Sequence, residues 1–397
     1  MKLHVPQGFE FAAVHCGIKR NPQKEDFTLI HCSAGAVAAG VYTQNLVHAA
    51  PVVLDRQRTP AANIRVIAVN SGNANACTGE RGWSDANEMA RLAAESCNAQ
   101  AEQALVMSTG VIGVFLPMEK IAAGTKGAAG KLATGEAALH AASRGILTTD
   151  RGPKLTSRQL ALDGKTINLA GIAKGAGMIG PNMATLLAVM MTDARLTPED
   201  AQVAIKAAAD ESFNCISVEG HMSTNDTLLL VASGAAGGSP LSGAALKTFT
   251  AALTDTCIEL AKQIPDDGEG ATHLICIRVE GCRSQAGARQ IAQTVANSAL
   301  VKTAITGGDP NWGRIVSAAG YAGIPFDPTG VDLTVNGHKL YERGAPLPFD
   351  AKTVSQAIKA ERETDVLLTF REGAAGIRFW TSDLTVDYVK FNADYTS

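Results

Sequence analysis

From Leu241 to Ile264 the apolar residues Leu246, Phe249, Leu253, Cys257 and Leu260 recur at steps of three and four, which predicts one long helix with a single buried face. Other apolar runs are short and unbroken. Arg65–Asn70 (RVIAVN) reads as a buried strand, while Thr185–Met191 (TLLAVMM) and Thr227–Ala232 (TLLLVA) are apolar on both faces and should be covered on both sides. Asp85 with Glu88 makes a capping-box start for a helix to about Cys97, and Thr197, with Pro198 in its first turn and Asp200 three residues on, opens another. The Ala/Gly tract Ala122–Ala142 reads as a small-residue helix and loop, and no internal repeat is visible. Strand-like and helical stretches alternate throughout, so the expected class is α/β or α+β, with sheets sandwiched between helical layers. A break is expected near Cys276–Cys282, after the loop DDGEGATH, which divides residues 1–276 from 277–397.

Composition narrows the function. A chain of 397 residues exceeds the size at which one core usually stops growing, hence the two expected units. Charged residues make up 18%, below the roughly 25% of an average soluble domain, and 39 glycines point to tight packing and many turns. The net charge of -3 comes without any like-charge run that could track a phosphate backbone, so nucleic acid is excluded as a partner. No run of about 18 apolar residues occurs and MKLHVPQGFEF has no signal-peptide pattern, so a cytoplasmic enzyme without a membrane anchor is expected. The eight cysteines form no CxxC pair and the eight histidines no HxH or HxxxH pair, so the thiols are read as reduced and mostly buried and no metal is assigned.

The densest feature is Gly171–Ala194, GIAKGAGMIGPNMATLLAVMMTDA, a flexible loop ahead of a buried strand. Gly175, Gly177 and Gly180 spell GxGxxG, but Pro181 and Asn182 followed by a β-favouring run leave no helix to receive a pyrophosphate. Glycines also let the backbone take strained conformations before a hydroxyl residue. Thr185 is that residue. Its hydroxyl can attack the carbonyl of Ala184, shift the chain onto oxygen, and after hydrolysis carry a free α-amine. Such an amine titrates at about 7.7 to 8.0 and can serve as the base for its own hydroxyl. On the residues alone, Thr185 reads more simply as an ordinary first residue of a strand.

KGAGMIGPNMATLLAVMMTDA resembles the signature of the ornithine acetyltransferase and glutamate N-acetyltransferase family. SGNANACTG, STGVIG, TTD, DGEGAT, NSALVKTA, GGDPNWGRI and YVKFNADYTS match the same family in order, out to the last residue. The resemblance implies two central sheets between helical layers (α/β/β/α) and a smaller C-terminal α/β unit. It implies self-cleavage between Ala184 and Thr185, the two fragments staying associated, in a homo-oligomer or a dimer of fragment pairs. The implied reaction moves acetyl from N2-acetylornithine to glutamate through an acetyl-Thr185 intermediate. Acetyl-CoA is a further donor for some members, and no metal or bound cofactor is implied. Residue by residue, it assigns oxyanion stabilisation to Thr109 and Gly110, and substrate contacts to Thr148, Lys174, Glu269, Asn392 and Ser397, with the tail folding back over the pocket. A related self-cleaving amidase or aminopeptidase, using water as acceptor, is the alternative. The chain departs from many relatives at Glu219 and His221, where they carry aspartates, and GGDPNWGRI is left without a role beyond a structured turn.

Overall fold

The computed structural model describes residues 3–180 and 186–394. The first part of the chain runs β1 (Glu10–Val14), β2 (Phe27–Tyr42), α1 (Ala50–Arg58), β3 (Ala61–Asn73), α2 (Gly79–Ser96), β4 (Ala104–Val111), α3 (Met118–Ala129), α4 (Glu136–Gly145), β5 (Lys154–Leu162), β6 (Lys165–Lys174), β7 (Leu187–Thr192), α5 (Pro198–Glu211), β8 (Ile216–Ser217), β9 (Thr227–Ala232) and α6 (Gly243–Asp266). One sheet takes the order β4-β3-β2-β9-β7-β6-β5, with β1 added on β2. Its side chains show that it folds over into two leaves. Ile67, Val69, Leu105 and Met107 share one apolar cluster with Ile172, Val189, Met191, Leu229 and Val231, so β3 and β4 face β6, β7 and β9 across a common core. The alternate residues Val66, Ala68 and Val106 pack on Met89, Ala90 and Ala93 of α2 and Ile121 of α3. On the other outer face Leu169, Ala188, Met190, Leu228 and Leu230 pack on Ile205 of α5 and on Phe249, Leu253 and Leu260 of α6. Period-two alternation thus produces the helix-sheet-sheet-helix order the resemblance implied. Strand β2 is the crease: residues 27–38 pair with β3, with register shifts between His31 and Ala38, and residues 37–42 pair with β9.

The rest of the chain runs β10 (Leu274–Cys282), α7 (Gln285–Ala296), α8 (Ala299–Gly307), α9 (Trp312–Gly320), β11 (Asp332–Val335), β12 (His338–Glu342), β13 (Ala345–Pro346), α10 (Ala351–Ala360), β14 (Glu363–Thr369), β15 (Ala375–Ser382) and α11 (Val386–Asp394). It builds a second sheet, β13-β12-β11-β14-β10-β15-β8, whose last strand is supplied by the first part of the chain. Residues 276 and 277 both lie within β10. The core of this unit, including Ile277 and Phe379, is continuous with the apolar face of α6.

Thr197 caps α5 through its hydroxyl, which accepts the Asp200 amide at 3.1 Å, and Pro198 opens the helix, as the sequence predicts. Asp85 does not cap α2. That helix starts at Gly79, after Asn75 and Cys77 turn the chain through positive φ, and Asp85 lies inside it, 3.7 Å from Arg81. The glycine-rich loop begins at Gly175, since Gly171 to Lys174 belong to β6. All eight cysteines are free, six of them buried, and Cys77 is exposed.

Candidate active site

Strand β6 ends where β7 begins, Lys174 pairing with Leu187 in the antiparallel register. The C-terminal end of β4 comes to the same edge from the other leaf. Here a pocket of about 300 Å³ is lined by Thr109, Gly110, Thr148, Thr149, Lys174, Glu269 and Asn392, with Ala74, Ile112, Gly177, Met178, Ser223, Thr224 and Asn225. Every described residue assigned by resemblance therefore lies in one cavity. Ala184, Thr185 and Ser397 lie outside the described residues.

The position of Lys174 follows from sheet geometry and charge. It is the last residue of β6 rather than a loop lysine, it is buried, and its Nζ donates to Thr109 Oγ1 at 3.3 Å. Burial lowers its pKa, against the opposing pull of Asp150. For Asp150 burial alone would raise the carboxyl pKa, but Lys174 and Lys154 outweigh it and hold the group below the usual carboxylate range. Asp150 accepts from Lys154 Nζ at 2.7 Å, from the Gly175 amide at 2.6 Å and from the Thr148 amide at 3.0 Å. One buried carboxylate thus positions the start of the glycine-rich loop and the backbone of Thr148. Lys154 also reaches Asp267 at 2.7 Å, tying this cluster to the DGEG loop.

Gly110, within the last residues of β4, has φ +134°, and a Cβ there would run into the Gly72 carbonyl carbon on β3, so the strand end admits no side chain at this position. Asn225 ties the end of β4 to the segment after β3, its Nδ2 donating to the carbonyls of Ala74 at 2.6 Å and Ser108 at 2.9 Å.

The acidic wall comes from two distant segments. The Glu269 amide donates to the Ala176 carbonyl at 2.9 Å, and its carboxylate lies over Gly177, where a Cβ would meet it at 2.5 Å. Helix α11 closes against this loop: Asn392 Nδ2 donates to Glu269 Oε2 at 3.1 Å, and Thr385 Oγ1 donates to the Gly270 carbonyl at 2.7 Å. Gly270, at φ +71°, lets the two backbones touch, since a Cβ would sit 2.4 Å from the Tyr388 nitrogen.

The chain matches the ArgJ family over residues 10–397. It is 47% identical over 396 residues, 99% of this chain and 96% of the relative, to the arginine biosynthesis bifunctional protein ArgJ of Rhodopirellula baltica. It is 46% identical to the ArgJ protein of Geobacter sulfurreducens, over 98% of this chain and 99% of that one. The chain belongs to the ArgJ family. It is thereby an acyltransferase of arginine biosynthesis. Among solved structures, the ArgJ protein of Bacillus halodurans superposes with a TM-score of 0.50 at 36% identity, covering 51% of this chain and 96% of that one.

Within this ArgJ chain, sequence reasoning passed over four groups. Asp150 is the third residue of the TTD match, which by itself does not show what the side chain holds, and Asn225 and Asp226 lie outside the matched segments. Asp226, fully buried, accepts the Leu186 amide at 2.9 Å, immediately after Thr185 in the chain. Lys154 carries no motif at all. Among the described residues no helix is long and apolar enough to cross a membrane.

Proposed function

We propose that the enzyme transfers acetyl from N2-acetylornithine to glutamate through an acetyl-Thr185 intermediate, after cutting itself between Ala184 and Thr185. The observation that carries this reading is the composition of the pocket next to Leu186. It combines a hydroxyl and a glycine at a strand end (Thr109, Gly110), a buried lysine (Lys174), and an acid bonded to an amide (Glu269, Asn392). In the donor half-reaction the Thr185 amine takes the proton from its own Oγ, which attacks the acetyl carbonyl carbon. The resulting oxyanion meets donors from Thr109 and Gly110, and the C–N bond breaks as the leaving α-amine of ornithine receives the proton. The acceptor half runs in reverse, with the glutamate α-amine attacking acetyl-Thr185. Lys174 suits the substrates' α-carboxylate, and Glu269 suits the ornithine side-chain ammonium. Thr148 and Asn392 supply hydrogen bonds at the rim, and Ser397 is assigned to the substrate as well.

Self-cleavage draws on the same parts, since attack on the Ala184 carbonyl also forms an oxyanion. The Bacillus halodurans chain, nearly all of which matches only 51% of this one, is in keeping with a chain cut into two fragments. The test is to incubate the purified protein with glutamate and either N2-acetylornithine or acetyl-CoA and to identify the products. N-acetylglutamate from the first pair is expected, and N-acetylglutamate from acetyl-CoA would add the second activity. Acetate release from N2-acetylornithine without glutamate acetylation would overturn the reading in favour of a hydrolase.

A further inference from the structure

One acid beside the pocket takes no part in the steps above. The amides of Val218 and Gly220 both donate to the Ile179 carbonyl, at 2.9 and 3.0 Å, and a Cβ at Gly180 would lie 2.8 Å from the Gly220 backbone. The segment Val218–Gly220 therefore grips the glycine-rich loop, and Glu219 at its centre turns its carboxylate inward. Both oxygens are buried and neither completes a hydrogen bond among the described residues, although the Met178 and Ile179 amides lie close enough to favour the charged form. Three ionisable groups face it: Glu269 from the DGEG loop, Lys302 from α8 and Tyr388 from α11.

Lys302, itself buried, donates to the Val218 carbonyl, to Thr381 Oγ1 at 2.9 Å and to Ser382 Oγ at 3.4 Å, and it also feels Asp383. It makes no direct ion pair with Glu219 among the described residues. Burial pushes the Glu219 carboxyl up to about 7, with Glu269 adding to the rise and Lys302 opposing it. Burial likewise draws Lys302 down to about 8 and sends Tyr388 up to about 12.

The reaction sets this region a problem. One pocket must accept in turn a side chain ending in an ammonium and one ending in a carboxylate. A wall with a permanent charge of two carboxylates suits the first and repels the second. We propose that Glu219 is a positioning acid that gives up its proton to solvent when the cationic donor lies on Glu269 and takes one back when the anionic acceptor replaces it. The wall then carries two negative charges for N2-acetylornithine and one for glutamate. This rests on the acetyl transfer proposed above.

The experiment measures kcat/KM for N2-acetylornithine and for glutamate from about pH 6 to about pH 8.5 in the wild-type enzyme and in Glu219→Gln, at equal extents of cleavage. The donor-to-acceptor ratio removes the titration of the Thr185 amine, which both halves share. Comparison with the variant removes that of the glutamate amine. The wild-type ratio should rise with pH about tenfold more than the variant's, the size of one pK unit of coupling. Glu219→Asp, which keeps a carboxylate, should retain the rise. Equal pH dependence in wild type and Glu219→Gln overturns the proposal. Should that variant fail to fold or cleave, the wild-type enzyme decides the matter in weakly buffered solution near pH 7. There ornithine should release more protons on binding than glutamate, whose α-amino group it shares, and equal release or the reverse order overturns it. A wild-type enzyme without any acetyl transfer would strike the reaction itself, and shows before any variant is made.

Discussion

Replacing Asp150 with Asn keeps the shape of the side chain but removes the anion that three donors share. The amide oxygen can still accept from Lys154 and Gly175, while the new NH2 group points its own hydrogens at the Thr148 amide. Breaking a buried charge pair costs about 3–5 kcal/mol, and the lower end applies because Lys154 keeps Asp267 at 2.7 Å. The functional effect falls on Lys174. Burial already lowers its pKa, Asp150 is the foremost opposing charge, and Lys154 acts with the burial. Loss of a nearby opposite charge moves a pKa by roughly 1–3 units, so the Lys174 ammonium should discharge at lower pH in the variant. On the proposed reading the charged form is the active one, so activity should persist below the folded pKa and disappear as pH rises through it. The alkaline limb of the kcat/KM profile for N2-acetylornithine should therefore move to lower pH by about 1 unit or more, while the acidic limb, which the proposed mechanism gives to the Thr185 amine, should stay. The profile would be recorded on protein whose cleavage and melting temperature have been measured beside wild type. An unmoved alkaline limb in a folded, cleaved variant would refute the assignment of Lys174 as a charged substrate contact tuned by Asp150. The sign for stability is opposite: Asp150 has a depressed folded pKa, so its contribution is full above the ordinary carboxylate pKa of about 3.9 and is lost as pH falls below it. Acid unfolding of Asp150→Asn should accordingly show a shallower pH dependence than wild type below about pH 4.

The wild-type protein should migrate as fragments 1–184 and 185–397, the second starting Thr-Leu-Leu by N-terminal sequencing; Thr185→Ala should stay intact and inactive, and full activity in an uncut chain would sink the mechanism. Thr109→Ala should lower kcat by about 10² through loss of one oxyanion donor, read on the cleaved fraction alone because cleavage forms a similar oxyanion, and an unchanged kcat would withdraw the role. Trimming the chain before Asn392 removes the bond to Glu269 at 3.1 Å and the residues beyond it. At roughly 1.5–3 kcal/mol per hydrogen bond to a charged group, kcat/KM for N2-acetylornithine should fall about a hundredfold or more, whereas a ratio near one at equal cleavage and melting temperature would show that α11 leaves the substrate untouched.

Features legible from the sequence share a short range. The helix expected from Leu241 to Ile264 is α6, Gly243–Asp266, because its apolar steps of three and four depend only on residues one turn apart. Thr227–Ala232 is β9 at both bounds, and Thr197 caps α5, each decided within a few residues. The misplaced start of α2 has the same scale but a different cause. Asp85 and Glu88 have the right spacing for a cap, yet the turn through Asn75 and Cys77 had already started the helix at Gly79.

Residue identity alone set the chemistry on offer: a threonine behind a glycine-rich loop, a lysine, an acid in DGEG, and a family signature that says what such a set is for. Which groups meet was decided by tertiary structure. Lys174 reaches Thr109 across 65 residues, and Asn392 reaches Glu269 across 123. Asp150 becomes the anion of the site only because β5 and β6 bring two lysines to it in a buried place, where a charge left unpaired would be costly. Local pattern sets the period of each strand. The folding of one sheet into two leaves, which no local pattern encodes, brings the ends of β4, β6, β7 and β9 to a single edge, and burial there sets the charges that the sequence could only name.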